Sequence, residues 1–202
     1  MHGKHDGVSL DLSTRGCMLY LSANNSIVLL IDWQQRLVAA MPEQIESRNR
    51  AAVAVLLKAA AELEVPILAS EQYPQGLGQT VSELSDLLPE ATVRHPKTVF
   101  SAALVPELQE ELAMSGRSHV IVVGMEAHVC VFQTVRGLRE EGYAVHVPLD
   151  GVISRKKHDY MAAVGLMRQL GAVTTSIETV IFDWLRHGQG ESFKVISRLI
   201  RD

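Results

Sequence analysis

The chain has 202 residues, of which 47% are hydrophobic and 21% are charged. This composition excludes a disordered or collagen-like chain, and the length suits one domain better than two. With 19 basic and 23 acidic residues the formal net charge is −4, so no cationic excess would attract nucleic acid or an anionic membrane surface.

The first 25 residues are predicted to form a loose arm (1–25) that precedes a single domain (26–202). The arm contains no apolar stretch of signal-peptide length, and no run of about 18 apolar residues that could span a membrane occurs in the chain. Cys17 and Cys130 lack CxxC spacing, so neither a disulfide framework nor a zinc cluster is indicated. We expect a cytoplasmic protein; a mitochondrial location is the alternative, although the arm is not Arg-rich and acid-poor.

Predicted strands and helices alternate along the rest of the chain. Short runs of branched apolar residues predict buried strands, and apolar residues at helical spacing predict the helices between them. The predicted elements are a strand at 27–32, a helix at 43–64, strands at 65–70 and 92–95, a helix at 105–114, a strand at 119–124, a helix at 131–141, a strand at 143–149, a helix at 155–170, a strand at 172–176 and helical segments at 180–185 and 193–200. This alternation predicts an α/β fold, a three-layer αβα sandwich with a central, mostly parallel, doubly wound sheet.

Three chemically useful residues stand at or just past the ends of predicted strands. Asp32 closes the first strand, Lys97 follows the TVRH strand, and Cys130 follows the HVIVVG strand. In parallel α/β sheets the ligand site lies beyond the carboxyl ends of the strands, so a carboxylate, an ammonium and a thiol should meet there. Taken singly, each has an ordinary alternative: a helix cap for the Asp, a solvated charge for the Lys and a buried structural residue for the Cys.

The segment VGMEAHVCVFQT (123–134) is predicted to lead from a strand through a tight turn into a helix. The partial positive charge of the helix N-terminus and the Lys97 ammonium would both lower the pKa of the Cys130 thiol. Asp32 could take the thiol proton, and free backbone N–H groups of the turn could hold an oxyanion. We therefore expect a thiol that is a nucleophile at neutral pH.

These segments, LLIDWQQRL, HPKTVFSA and VVGMEAHVCVFQT, resemble in order and spacing the isochorismatase-like cysteine hydrolase family. The loop SEQYPQGLGQTVSEL is similar to that of the isochorismatase domain-containing protein subgroup. The resemblance implies a hydrolase with a three-layer αβα fold and a catalytic triad of Asp32, Lys97 and Cys130. It also implies a cis peptide between Met125 and Glu126, with an oxyanion hole formed by the backbone N–H groups of Glu126 and Cys130.

One departure from the family concerns metal binding. Metal-binding nicotinamidases of this family carry an Asp-x-His pair after the second strand, whereas this chain reads Glu71, Gln72 and Tyr73 there. Without the imidazole ligands we expect no metal and no cofactor. Glu71, Tyr73, Phe100 and Phe132 are predicted to line a pocket, with ordinary core aromatics as the alternative for the rings.

The sequence thus predicts a cysteine-nucleophile hydrolase that acts on a small amide, ureide or ester through a thioester intermediate. Three alternatives stay open: a catalytically silent binding or scaffold protein, an isochorismatase-type vinyl-ether hydrolase, for which a reactive cysteine would be superfluous, and a ribonuclease. The net charge and the lack of a basic–aromatic patch argue against the ribonuclease. We expect a small-molecule substrate, no nucleic-acid or membrane partner, and a homo-oligomer.

Overall fold

The structure is a computed structural model that describes residues 19–201. The strands are β1 (Ser26–Ile31), β2 (Ile67–Gln72), β3 (Arg94–Lys97), β4 (His119–Met125), β5 (Ala144–Pro148), β6 (Val152–Ile153) and β7 (Val173–Thr175). The α-helices are α1 (Gln35–Val38), α2 (Glu43–Glu62), α3 (Pro74–Leu77), α4 (Ser82–Ser85), α5 (Pro106–Met114), α6 (Phe132–Glu140), α7 (Lys157–Gln169), α8 (Ile177–Leu185) and α9 (Glu191–Arg201). Short 3-10 turns span Ala23–Asn25, Ala102–Leu104 and Leu149–Gly151, and a π-helical turn spans Ala127–Val131.

All paired strands of the described sheet are parallel. Their order is β3-β2-β1-β4-β5-β7, and the short β6 pairs with the carboxyl end of β4. Every residue of β1 and of β4 is buried, because helices cover the centre of the sheet on both faces. The predicted αβα architecture with a parallel sheet is confirmed.

Two hydrophobic clusters flank the sheet. Because alternate residues of a strand point to opposite faces, Val28 and Leu30 of β1 join one cluster, while Ile27, Leu29 and Ile31 join the other. Helices α2, α8 and α9 pack on the first face, and α5, α6 and α7 pack on the second face. The sheet therefore fixes the position of every residue that emerges at its carboxyl edge.

Several predicted boundaries were wrong by a few residues. Strands β2 and β3 both end two residues later than predicted, so Gln72 and Lys97 are strand residues. Strand β2 continues through polar residues because the pairing of Ser70 to Gln72 with β3 supplies its hydrogen bonds. The strand β6 was not predicted, since two residues give no detectable pattern.

The predicted arm is described only in part, since residues 1–18, including Cys17, lie outside the described residues. Leu21 is buried and packs in the cluster that contains α2. Within 19–201 no helix combines the length and the hydropathy needed to cross a membrane.

Gly124 lets β4 approach β1 at the strand end that carries Asp32. A Cβ on Gly124 would lie 2.3 Å from the backbone oxygen of Ile31 and 2.6 Å from the Cβ of Ile31.

We expect Gly124→Ala to lower the free energy of unfolding by about 1 to 3 kcal/mol in urea titrations, because the backbones of β4 and β1 must separate. Gly165→Ala in α7 is the matched control. Its Cβ would meet no atom within 4 Å, so we expect a gain of about 0.5 to 1 kcal/mol. Equal losses in both variants would contradict the prediction.

Candidate active site

The sheet register brings the predicted catalytic residues to one place. Ile31 pairs with Ser70 on one side and with Gly124 on the other, and Gln72 pairs with Lys97. The carboxyl ends of β1 to β4 are therefore aligned, and Asp32, Lys97 and the turn that holds Cys130 meet at this edge.

Asp32 and Lys97 form an ion pair whose side chains are fully buried, with Lys97 Nζ 2.7 Å from Asp32 Oδ2. Ser70 Oγ donates to Asp32 Oδ1 at 2.9 Å. Lys97 Nζ also donates to Gln72 Oε1 at 2.7 Å and to the backbone oxygen of Phe100 at 3.0 Å. All three ammonium protons thus have acceptors, which offsets part of the cost of removing the pair from water.

Cys130 lies in the π-helical turn that precedes α6 and is only 4% exposed. Its Sγ is 3.9 Å from Gln72 Oε1, the same oxygen that accepts from Lys97. Thr134 Oγ1 donates to the backbone oxygen of Cys130 at 2.7 Å and accepts from Ala102 N at 2.8 Å, which holds the turn against the neighbouring segment. The structure therefore brings the three predicted residues together around a glutamine that the sequence analysis had not assigned to the site.

At this edge, the residue that follows each of three strands has a left-handed backbone conformation. These residues are Asp32 (φ 52°), Tyr73 (φ 38°) and Glu126 (φ 32°). Non-glycine residues in this region of backbone conformation cost on the order of 1 to 3 kcal/mol each and cluster at functional sites.

The cis peptide expected between Met125 and Glu126 is not observed: residues 19–201 contain no cis peptide bond. The positive φ of Glu126 and the π-helical turn together make the sharp change of direction instead.

Polar contacts hold the side chains of the turn itself. Glu126 Oε1 accepts from Arg155 Nε at 2.8 Å, and Glu126 Oε2 lies 3.3 Å from His128 Nδ1. His128 Nδ1 is also 3.0 Å from Ser154 Oγ. The backbone N–H groups of Glu126 and Cys130 belong to this fixed turn, and their role as an oxyanion hole stays a prediction.

The electrostatics of the thiol differ from the expectation. Burial raises the pKa of the Cys130 thiol to about 12, and the negative charge of Asp32 adds to the rise, while the positive charge of Lys97 lowers it. Burial also raises the pKa of the Asp32 carboxyl, whereas Lys97 opposes that rise. The expected low thiol pKa was wrong, because desolvation and the nearby carboxylate outweigh the cation.

We expect alkylation of Cys130 by iodoacetamide to be slow at neutral pH and to accelerate only toward pH values near 12. The reason is that the thiolate is the reactive species and burial disfavours it. Peptide mass spectrometry after timed alkylation across a pH series measures the rate, with Cys17 as the internal comparison. A rate that levels off below about pH 8.5 would contradict the raised pKa.

The four predicted pocket residues occupy different positions. Tyr73 lines a cavity of about 230 Å³ together with Lys97 and the residues beside them in sequence, Pro74, Gln75, Pro96 and Thr98. Phe100 is half-exposed, and Phe132 packs beside the core with the Arg136 guanidinium 5.5 Å from its ring centre. Glu71 is buried, and its Oε1 accepts from both N and Oγ1 of Thr80, so it holds a loop.

Gln34 is a further site residue that was missed. Its Oε1 accepts from Gln72 N at 2.7 Å, and its Nε2 donates to the backbone oxygens of Gln72 and Gly78. It thereby ties the end of β2, which carries Gln72, to the loop that follows. The available signal was a pair of glutamines, Gln34 and Gln72, each near the carboxyl end of a strand.

Tyr73 stands at the position where the family resemblance would place a histidine ligand. Within the described range, no group of three or more His, Cys, Asp or Glu side chains lies close enough together to hold a metal ion. The absence of a metal and of a cofactor from the reaction stays a prediction from the sequence.

Comparisons with known proteins agree with this fold. The family model of the isochorismatase domain matches residues 26–179. Isochorismatase domain-containing protein 2A of Mus musculus is 36% identical over 184 residues, which cover 88% of this chain and 84% of the mouse protein. The secreted isochorismatase effector Isc1 of Phytophthora sojae is 35% identical over 188 residues, covering 90% of this chain and 87% of the effector.

Among solved structures, the MAR1 ribonuclease of Caenorhabditis elegans is similar, with a TM-score of 0.85 and 35% sequence identity. The similarity covers 90% of this chain and 92% of the nematode chain. Since the family model extends from the start of β1 into the first turn of α8 and both sequence relatives match over most of their length, the chain belongs to the isochorismatase family.

Proposed function

We propose that this chain is a cysteine hydrolase of small amides, ureides or esters, with Asp32, Lys97 and Cys130 as its catalytic residues. The observation that supports this most is the fully buried ion pair of Lys97 and Asp32 beside a nearly buried thiol. Burying two charges has a large desolvation cost, so a site that only needed packing would use apolar side chains. A chemical role for the pair explains why it stands at the ligand-binding edge of the sheet.

In the proposed acylation step, Cys130 Sγ attacks the carbonyl carbon while Asp32 takes the thiol proton. The C=O electron pair moves onto oxygen, and the backbone N–H groups of Glu126 and Cys130 stabilise this oxyanion. The intermediate collapses as the C–N or C–O bond breaks, and the leaving amine or alcohol takes the proton from Asp32. Because the thiol is protonated at rest, the nucleophile forms only as attack proceeds.

In the proposed deacylation step, water attacks the thioester while Asp32 removes its proton. The C–S bond breaks, and Sγ recovers the proton from Asp32. The product is a carboxylic acid, or a carbamic acid from a ureide. Lys97 keeps the Asp32 carboxylate charged and in place. Gln72 Oε1 lies between the Lys97 ammonium and the Cys130 sulfur and contacts both.

The test is a panel of small primary amides, ureides and esters, assayed for acid release in ¹⁸O-labelled water. For amides and esters the proposal requires one ¹⁸O per product acid. For ureides, whose carbamic acid decomposes to an amine and CO2, it requires release of the amine. In each case an acyl adduct on the Cys130 peptide is expected after acid quench. If no compound is hydrolysed and no adduct forms, the silent binding or scaffold function is favoured. Cleavage of an enol ether that survives Cys130→Ser would favour the vinyl-ether function.

We expect Lys97→Met to lower kcat by about 100-fold or more, with a much smaller change in KM. Without the ammonium, the pKa of the buried Asp32 carboxyl rises further, and the carboxyl is protonated over more of the pH range. The acid limb of the pH–rate profile should therefore move to higher pH. Lys58→Met on the exposed side of α2 is the charge control. Unchanged turnover in Lys97→Met would refute this role.

Ribonuclease activity is a second candidate, favoured by the names of similar solved structures, among them the nematode relative at 35% identity. The formal net charge of −4 disfavours attraction of RNA. Hydrolysis of labelled RNA that is lost in Cys130→Ala would support this activity, and hydrolysis that persists in that variant would point to a contaminant.

A cytoplasmic location and a homo-oligomeric assembly also stay predictions.

A further inference from the structure

A second cavity, of about 400 Å³, lies at the carboxyl edge of the sheet between the first turns of α2 and α7. None of Asp32, Lys97 and Cys130 lines it, so it is separate from the catalytic cluster. Its apolar lining comes from α2, the turn after β5, β6 and α7, and includes Ile45, Leu149, Val152, Ile153 and Met161. The volume falls in the range of small-molecule sites.

Two cations line this cavity from different helices. Arg48 belongs to α2 and Lys157 is the first residue of α7, and no acidic side chain is among the lining residues. Of the ion pairs in the described part of the chain, none includes either residue. The two charges are therefore available to an anionic group of a ligand in the cavity.

Asn49 supplies a buried acceptor in the lining. It is 2% exposed, and its Nδ2 donates to the backbone oxygen of Val152 at 3.1 Å, which fixes the orientation of the amide. Its Oδ1 accepts no hydrogen bond from any residue within 19–201. A buried oxygen without a donor costs about 1 to 3 kcal/mol, so a hydrogen-bond donor is expected to reach it.

Two apolar side chains of the lining remain in contact with solvent. Ile45 is 46% exposed and Met161 is 57% exposed. An apolar ligand body placed between them would remove this surface from water at about 25 cal/mol per Å². The cavity thus combines apolar side chains, two cations and a buried acceptor without a donor.

We propose that this cavity is a binding site for a small carboxylate with an apolar body and a hydrogen-bond donor at the far end. The carboxylate lies between Arg48 and Lys157, the body contacts Ile45 and Met161, and the donor is directed to Asn49. The proposal concerns binding alone and does not depend on the proposed hydrolase function.

The probe is 4-hydroxyphenylacetate, titrated into the full chain with ¹³C-labelled methyl groups on Ile45 and Met161. We expect saturable shifts of both methyl resonances. 4-Hydroxyphenylethanol, which lacks the charge, should bind about tenfold more weakly, and phenylacetate, which lacks the donor, about threefold more weakly. None of the three compounds contains a bond that the proposed hydrolase would cleave.

The matched variants separate the two cations from general charge effects. Arg48→Gln combined with Lys157→Gln should weaken binding about tenfold, while Lys58→Gln combined with Lys156→Gln removes the same charge elsewhere and should bind as the wild type does. Shifts that do not saturate, equal affinity for the neutral alcohol, or equal losses in both double variants would overturn the proposal. Methyl shifts that change on dilution alone would assign the cavity to a second copy of the chain, and would overturn it too.

Discussion

Cys130→Ala is expected to abolish hydrolysis of every substrate that the chain turns over, with kcat/KM falling by about 10⁴-fold or more. The Sγ atom forms the bond to the substrate, and within the described residues Cys130 is the only free cysteine. Cys130→Ser should be similarly inactive, because a buried hydroxyl is a far weaker nucleophile than a thiol. Steady-state kinetics on the best substrate of the panel measure both variants.

Loss of activity must be separated from loss of fold. The thiol is a small group, so we expect Cys130→Ala to keep most of the free energy of unfolding in urea. Cys17→Ser is the matched control and should keep wild-type turnover. A Cys130→Ala variant that is folded and retains more than about 1% of the turnover would show that the cysteine is not the nucleophile.

The fold was predictable where burial alone determines the sequence pattern. Strands β1 and β4 lie at the centre of the sheet, so their residues must be apolar on both faces, and the runs are visible in the sequence. The carboxyl end of β2 is different, since Ser70, Glu71 and Gln72 are buried or half-buried polar residues. From the sequence alone these polar residues are typical of a loop. Only the structure shows that they pair with β3 and that Ser70 donates a hydrogen bond to Asp32.

The meeting of Asp32, Lys97 and Cys130 at one edge of the sheet was predictable, whereas the pKa of the thiol was not. Asp32, Lys97 and Cys130 could be placed because parallel strands share a carboxyl edge. The thiol pKa could not be derived, because its direction depends on the depth of burial and on whether the carboxylate or the ammonium has the larger effect. Gln72 was missed for a related reason: its role depends on a side chain that reaches both Lys97 and Cys130.

Asp32→Asn is expected to lower kcat/KM by about 10³- to 10⁴-fold. A thiol with a pKa of about 12 has only about 1 part in 10⁵ as thiolate at pH 7, so the reaction depends on a base that takes the proton during attack. The amide of asparagine cannot take it, nor can it return a proton to the leaving group. Ser70→Ala, which removes one hydrogen bond to Asp32 but keeps the base, should cost much less.

Asp32→Asn should increase the rate of Cys130 alkylation, although it lowers the rate of hydrolysis. Asp32 raises the pKa of the thiol and Lys97 lowers it, so removing the carboxylate leaves the ammonium unopposed and increases the thiolate fraction. Iodoacetamide should then modify Cys130 faster at neutral pH in the folded variant, although hydrolysis is slower. A structural role for Asp32 would change both rates only through unfolding, which urea titration detects.

The pH–rate profile completes the assignment of Asp32. Only the charged carboxylate can act as a base, so kcat/KM should fall as pH drops through the Asp32 pKa. Burial raises that pKa, which places the acid limb at higher pH than for an ordinary carboxyl. In Asp32→Asn the limb should vanish, because the group that titrates is gone. An acid limb of unchanged position in a folded Asp32→Asn variant would assign the base to another residue.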